Sequence, residues 1–331
     1  RHTFGAAMYT DYDTLNSVFF QYQNSTGFPI DGFWGFDVYH DANFQLQFFN
    51  NKKSYLEVFN GASLWTRVPY NFGKSQSINH IFSSALTLVK RESFFKVNAP
   101  EETIFDEPNE GKEGTLNISY LFLNKRPHER NMLSPKQGYG LKISLKHANS
   151  SIWGNFDYTK MEGDIFINKN IGPFILFGRG RLEAMNGNPP NQEKLAIVDI
   201  PNYYLLGATT PGREYMSLRG FSGTPRFGTR AFMGTFEFRL PALPVSIVEV
   251  VKVLKLGSPT FALISDFGNT LGGTQKNQEM IATFGYEFRI ALSIDNIPIF
   301  ILSYGHAQEK KLWQEGNAPN NYFQLTLINP F

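Results

Sequence analysis

Arg219 stands in the one stretch of this sequence where residue type and spacing could do specific chemistry. It lies in Leu218-Arg219-Gly220-Phe221, towards the end of a long polar connection, and carboxylates follow at Glu237 and Asp266 in alternating segments. A guanidinium offers its donors as a planar fork, which suits capture by one or two carboxylates at once. Buried without acceptors it would be costly, so an arginine projected inward has to find them. Gly220 lets the backbone turn tightly or approach a wall, and Phe221 can wedge against neighbouring side chains. The expectation is a loop tip pinned by Arg219 to Glu237 and Asp266. That is bracing, not bond chemistry.

Other constellations carry less. The six histidines (His2, His40, His80, His128, His147, His306) form no i, i+4 pair and no metal-spaced cluster. No Gly-x-Ser-x-Gly elbow occurs. Gly178-Arg179-Gly180 sits in a strand-like segment without a following helix, so it is no nucleotide loop. Arg179 and Arg181 share a polar parity and are expected to line a wet interior. Asp37, His40 and Asp41 read as a polar rim. No enzymatic activity, cofactor or metal is expected, and a net charge of +2 implies no nucleic-acid partner.

The elements that would position Arg219 are strands. Leu116, Ile118, Tyr120 and Phe122 alternate with Asn117 and Ser119, and Tyr139, Leu141, Ile143 and Leu145 with Lys142, Ser144 and Lys146. Phe44, Leu46 and Phe48 are set against Gln45 and Gln47. Phe232, Phe236 and Phe238 alternate with Met233, Thr235, Glu237 and Arg239; Phe284, Tyr286 and Phe288 alternate with Thr283, Glu287 and Arg289. Each segment has one apolar and one wet face, because successive side chains of a strand point to opposite sides. A soluble sandwich shares this pattern. The Phe- and Tyr-rich apolar face, the charged opposite face and the recurrence to the chain end favour a transmembrane antiparallel β-barrel. At roughly 20 residues per strand and loop, about 16 strands fit the chain.

Composition agrees. Aromatics reach 15% against 18% charged residues, with 32 phenylalanines and no cysteine among 331 residues. Mean hydropathy is −0.27, and Ala242–Ile264 is broken by Glu249, Lys252, Lys255 and Pro259, so no clean run of about 20 apolar residues offers a spanning helix. Glu101–Gly114 and Pro127–Lys136 read as exposed loops. The connection Ala184–Thr229, roughly 45 residues, is anomalous, since loops beyond about 15 are uncommon unless functional or disordered. Val245–Leu256 reads equally as an amphipathic surface helix or a strand extension. In the last strand Phe323, Leu325, Leu327 and Phe331 share one parity and Gln324 and Thr326 the other. That ending resembles the C-terminal sorting signal of bacterial outer-membrane proteins, from which Asn329 and Pro330 depart.

The ordered set Leu218-Arg219-Gly220-Phe221, Glu237 in Phe-Glu-Phe-Arg-Leu-Pro, and Asp266-Phe-Gly268 resembles the BamA/two-partner-secretion transporter superfamily, the bacterial surface-antigen barrels. The resemblance covers roughly Tyr215–Phe331; the rest matches in strand character. It implies a sixth extracellular loop folded into the lumen, with Glu237, Asp266 and Gly268 as partners of the loop motif. It further implies residues 1–331 as a single barrel domain in the bacterial outer membrane. The first and last strands would meet at a weak seam that opens sideways, the terminal strand Tyr322–Asn329 forming one lip and Phe323, Leu325, Leu327 and Phe331 marking the seam. An insertase assisting outer-membrane protein assembly is the leading expectation; a polypeptide-secretion transporter and a passive pore are the alternatives. Expected partners are outer-membrane lipid, unfolded outer-membrane proteins or a secreted polypeptide, and accessory periplasmic proteins. The chain begins at Arg1 without an initiator methionine and is expected to be an excised piece, lacking the periplasmic N-terminal modules of such barrels.

Overall fold

The computed structural model describes residues 2–11, 14–25, 32–43, 55–70, 78–95, 109–126, 137–199, 203–206, 216–221, 226–241, 248–249, 254–256, 259–273, 279–294, 297–310 and 320–327. They are overwhelmingly β-strand, as the alternation predicts. The chain divides into two compact units, one of residues 1–122, 142–162 and 184–194, the other of residues 123–141, 163–183 and 195–331.

The first unit opens with β1 (His2–Asp11), β2 (Thr14–Asn24), β3 (Phe33–Asn43), β4 (Tyr55–Tyr70) and β5 (Ile78–Phe95), each antiparallel to the next. Phe4, Tyr22, Phe36, Leu64 and Leu86 are successive register partners, one apolar row crossing all five strands. That row faces outward, Phe4 being 78% exposed and Leu64 54%. The next row on the opposite face is Asp37, Ser63 and Thr87, with Trp65 Nε1 donating to Asp37 at 3.0 Å and the two hydroxyls 3.0 Å apart. The sheet is thus apolar where exposed and polar where sheltered, the inverse of a soluble sandwich.

One rim of this apolar face is aromatic. Tyr22 packs against Phe4, Trp34 and Phe36 at centroid distances of 5.0, 5.5 and 5.4 Å, and His80 contacts Phe122 at 4.8 Å. Such amphipathic rings settle where hydrocarbon meets water.

β6 (Gly111–Arg126), β7 (Gln137–Ala148), the single-turn α1 (Ser150–Trp153), β8 (Asp157–Ile171) and β9 (Phe174–Asn188) follow. Here Leu116, Ile118, Tyr139 and Ile143 are exposed, as their parity predicts. Two loop expectations need correction. Residues 111–114 belong to β6, where Thr115 and Glu113 turn to the sheltered face; the long connection starts at 189, because β9 runs on through Asn188. The expected strand pattern at 44–50 and the loop at 127–136 lie outside the described residues.

The connection carries structure of its own. After a 3-10 turn at Asn191–Glu193 come β10 (Leu195–Asp199), β11 (Tyr203–Leu206), β12 (Met216–Leu218) and β13 (Arg226–Gly228). β10 pairs in parallel with β12 and antiparallel with β13, making a small separate sheet. Leu195, Ile197, Met216 and Leu218 are its buried apolar anchors.

β14 (Arg230–Pro241) leads to a short antiparallel pair, β15 (Val248–Glu249) and β16 (Leu254–Leu256). The strand reading of 245–256 therefore holds for its described residues, and Leu254–Leu256 also pairs antiparallel with residues 292–294 of a later strand. The main strands resume after it. These are β17 (Thr260–Leu271), β18 (Ile281–Ile294), β19 (Ile297–Glu309) and β20 (Asn320–Leu327). β14, β17, β18, β19 and β20 form a continuous antiparallel ladder in that order.

Candidate functional site

β12 delivers Arg219 to the polar face of this ladder through a tight turn, the Phe221 N–H donating to the Leu218 carbonyl at 3.3 Å. Gly220 has φ +75°, in the left-handed region. A Cβ built there would stand 2.2 Å from the Ala307 carbonyl carbon on β19. The tip therefore needs glycine for its turn and for its approach to the wall. Gly220→Ala is expected to cost about 1–2 kcal/mol for the positive φ alone, plus a backbone overlap that no rotamer relieves. Urea unfolding of the folded barrel and protease susceptibility of the connection measure it. A variant with wild-type behaviour in both would contradict the close approach.

Arg219 is 7% exposed. Its Nε and Nη2 donate side-on to Asp266 at 2.7 and 2.6 Å, and its backbone N–H reaches the same carboxylate at 3.1 Å. Nη1 donates to Glu237 at 2.7 Å and to Glu287 at 3.0 Å. Burial alone would lower its pKa, but Asp266, Glu237 and Glu287 outweigh it and hold the guanidinium well above its ordinary value. The sequence-expected residues are brought together, and a third carboxylate joins them.

Two further arginines complete the cluster. Arg239 donates to Glu237 at 2.6 Å, and its guanidinium lies 4.3 Å from the Phe177 ring centre. Arg289 bridges Glu237 at 2.8 and 2.9 Å and Glu287 at 2.6 Å. Three guanidiniums thus face three carboxylates, so the six charges balance. Register explains how groups on non-adjacent strands meet. Arg239 and Glu287 both oppose Ala262 on the intervening β17, and its small, fully buried side chain leaves them room to reach across.

Glu287, Arg289 and Arg239 were missed as site residues, although a signal existed. The run Phe236-Glu-Phe-Arg239 returns as Tyr286-Glu-Phe-Arg289, the same parity two strands along. Gly268 proves to be placed otherwise than as a partner of the arginine. A Cβ there would lie 2.6 Å from the Phe232 carbonyl and 3.1 Å from Ile197 Cδ1, so its bareness seats the loop's own sheet on the wall. Phe221 is buried under the guanidinium of Arg226, which lies 5.9 Å from its ring.

The first unit holds a second cluster that the sequence did not reveal. Glu113, 1% exposed, accepts from Arg91 at 2.5 Å, from Lys146 at 3.0 Å and from the Tyr158 hydroxyl. Glu193, on the 3-10 turn, takes the remaining reach of Arg91 at 2.5 Å and of Lys146 at 3.3 Å. Gln192 beside it exchanges two hydrogen bonds with the Asn109 backbone, at 2.7 and 2.8 Å. The start of the long connection is therefore anchored by ion pairs and hydrogen bonds of its own. Elsewhere Arg179 pairs with Asp164 and the buried Arg181 with the buried Glu183, whereas Asp37 and His40 point to opposite sides of β3, bonding Trp65 and Asn60.

In the terminal strand, Phe323 and Leu325 stand opposite Tyr304 and Leu302 of β19, and Leu327 opposite Phe300. On the other edge β20 pairs in parallel with β11, Tyr203 opposite Phe323 and Leu205 opposite Leu325. A segment of the long connection thus lies along the last strand. Phe331 falls outside the described residues.

No family model and no curated protein matches the chain. Among solved structures it is similar to BamA from Haemophilus ducreyi lacking POTRA domains 1-3, with TM-score 0.59 and 14% identity over 94% of this chain and 62% of that one. It is also matched to CdiB from Acinetobacter baumannii, with TM-score 0.49 and 13% identity over 88% of this chain and 46% of that one. The chain thus spans less than two thirds of the length of either structure. Its fold is the antiparallel β-barrel fold of BamA, all-β with a long loop carried on the barrel strands.

Proposed function

We propose that this BamA-fold barrel belongs to the BamA/two-partner-secretion kind, resides in the bacterial outer membrane, and assists the insertion of other outer-membrane proteins by offering the edge of its last strand. The exposed apolar rows with their aromatic rim fit a lipid surround, and the neutralised six-charge cluster fits a wet interior. The observation that carries the reading is the edge of β20, which holds a strand of four residues, β11, in parallel register. An edge that accepts so short a guest can accept another extended chain, the ordinary chemistry of β-augmentation. No bond is made or broken. The substrate is an unfolded outer-membrane protein, delivered by periplasmic modules or accessory proteins, and the barrel acts as a single domain.

The test is reconstitution in lipid vesicles with an unfolded outer-membrane β-barrel as client. Client folding, followed by its heat-dependent gel mobility, is expected to accelerate. With Leu205 and Leu325 both replaced by cysteine, opposed in the β11–β20 register, oxidation is expected to abolish the acceleration and reductant to restore it. No acceleration by the reduced protein, with strong ion conduction once the loop is displaced, would replace insertion by polypeptide secretion. Full acceleration by the oxidised protein would remove the β20 edge from the mechanism.

A further inference from the structure

The sheltered face of the first unit holds a cavity of about 460 Å³ whose walls neither the loop cluster nor the β20 edge uses. Four cations line it: Arg67 on β4, Lys142 and Lys146 on β7, and Lys160 on β8. Asn117 and Ser144 add neutral hydrogen-bonding groups. All stand at the parity opposite the exposed Leu64, Ile118, Ile143 and Met161, so the cavity opens on the wet side.

Two carboxylates also line it, and both are committed within the fold. Glu162 accepts from Lys142 and from the Ser144 hydroxyl, each at 3.3 Å. Glu193 is shared between Lys146 and the buried Arg91. Four positive and two negative side chains leave the lining at +2. Arg67 enters no ion pair among the described residues, and its planar fork is suited to two oxygens of one phosphate.

We propose that this cavity binds a small phosphorylated polyol, such as a sugar phosphate. The charge matches, because a phosphate monoester carries about −1.5 to −2 at neutral pH. Size matches too, since sites for small molecules run from about 300 to 1,000 Å³. The hydroxyl and amide walls provide partners for the polyol, with Arg67 taking the phosphate and Lys160 adding to the positive field of the lining. The ligand's source is either a soluble sugar phosphate or the phosphorylated saccharide of a glycolipid.

Titration calorimetry on the whole folded barrel in detergent tests this with glucose 6-phosphate as probe. Saturable binding is expected, weaker for inorganic phosphate and absent for glucose. Arg67→Gln and Lys160→Gln are each expected to weaken it at least tenfold, and Arg67→Lys to recover part of the loss. Lys169→Gln, on an exposed position of β8 outside the cavity, is expected to change nothing. Heat-dependent gel mobility verifies that each variant is folded. Competition by a micelle-dispersed phosphorylated glycolipid would assign the lipid-borne source, and lack of competition the soluble one. Absence of saturable binding would overturn the proposal. So would Arg67→Gln and Lys160→Gln barrels that both bind within twofold of wild type.

Discussion

Arg219→Met is expected to detach the loop tip from the barrel wall and to destabilise the folded barrel by about 3–5 kcal/mol, the usual cost of removing one partner from a buried ion pair. Methionine keeps much of the volume, so the loss is mainly one of charge. The three carboxylates do not suffer equally. Glu237 keeps Arg239 and Arg289, and Glu287 keeps Arg289. Asp266 loses both side-chain bonds from Arg219 and retains the backbone N–H of residue 219. The penalty therefore concentrates on one buried carboxylate, and neutralising it should relieve the strain. Asp266→Asn alone is expected to destabilise by a similar amount, while the double variant should cost clearly less than the sum of the two. Urea unfolding followed by tryptophan fluorescence gives the three energies, and proteolysis of the connection reports the tip. Strict additivity would show that Arg219 and Asp266 do not act as a pair.

Much of this cluster was legible before the fold was known, for identifiable reasons. Alternation set Glu237 on a wet face whatever its neighbours, because strand geometry fixes parity locally. Arg219 stood out by sitting beside a glycine in a connection too long to be idle. Glu287 and Arg289 have the same local pattern, yet their meeting with Arg219 depends on the register of β17 between β14 and β18, which no single segment encodes. Ala262 is decisive for that crossing and unremarkable in sequence. Gly268 was assigned to the arginine by resemblance, whereas its contact is with Ile197 of the loop's own sheet. Strands of three to five residues such as β10, β12 and β13 are too short to show a period, so the loop's internal order was hidden.

Glu113 was hidden for a different reason. The run Glu101–Gly114 is so acidic and glycine-bearing that its composition reads as exposed, and the partners that bury Glu113 come from 22, 33 and 45 residues away. Its replacement carries the second large effect. Glu113 and Glu193 together balance Arg91 and Lys146, two charges against two. Glu113→Leu removes one of the two carboxylates that Arg91 and Lys146 share, with Arg91 only 5% exposed and the Tyr158 hydroxyl deprived of this acceptor. A loss of about 3–5 kcal/mol is expected. The turn at Asn191–Glu193 should stay docked, since Gln192 holds Asn109 independently. Glu193→Gln should cost much less, because that carboxylate is the more solvated of the two, at 15% against 1% side-chain exposure, and water screens what it loses. Urea unfolding of the two variants side by side decides the matter. If Glu193→Gln proved as damaging as Glu113→Leu, the anchoring of the connection, and not the buried charge balance, would be what this cluster contributes.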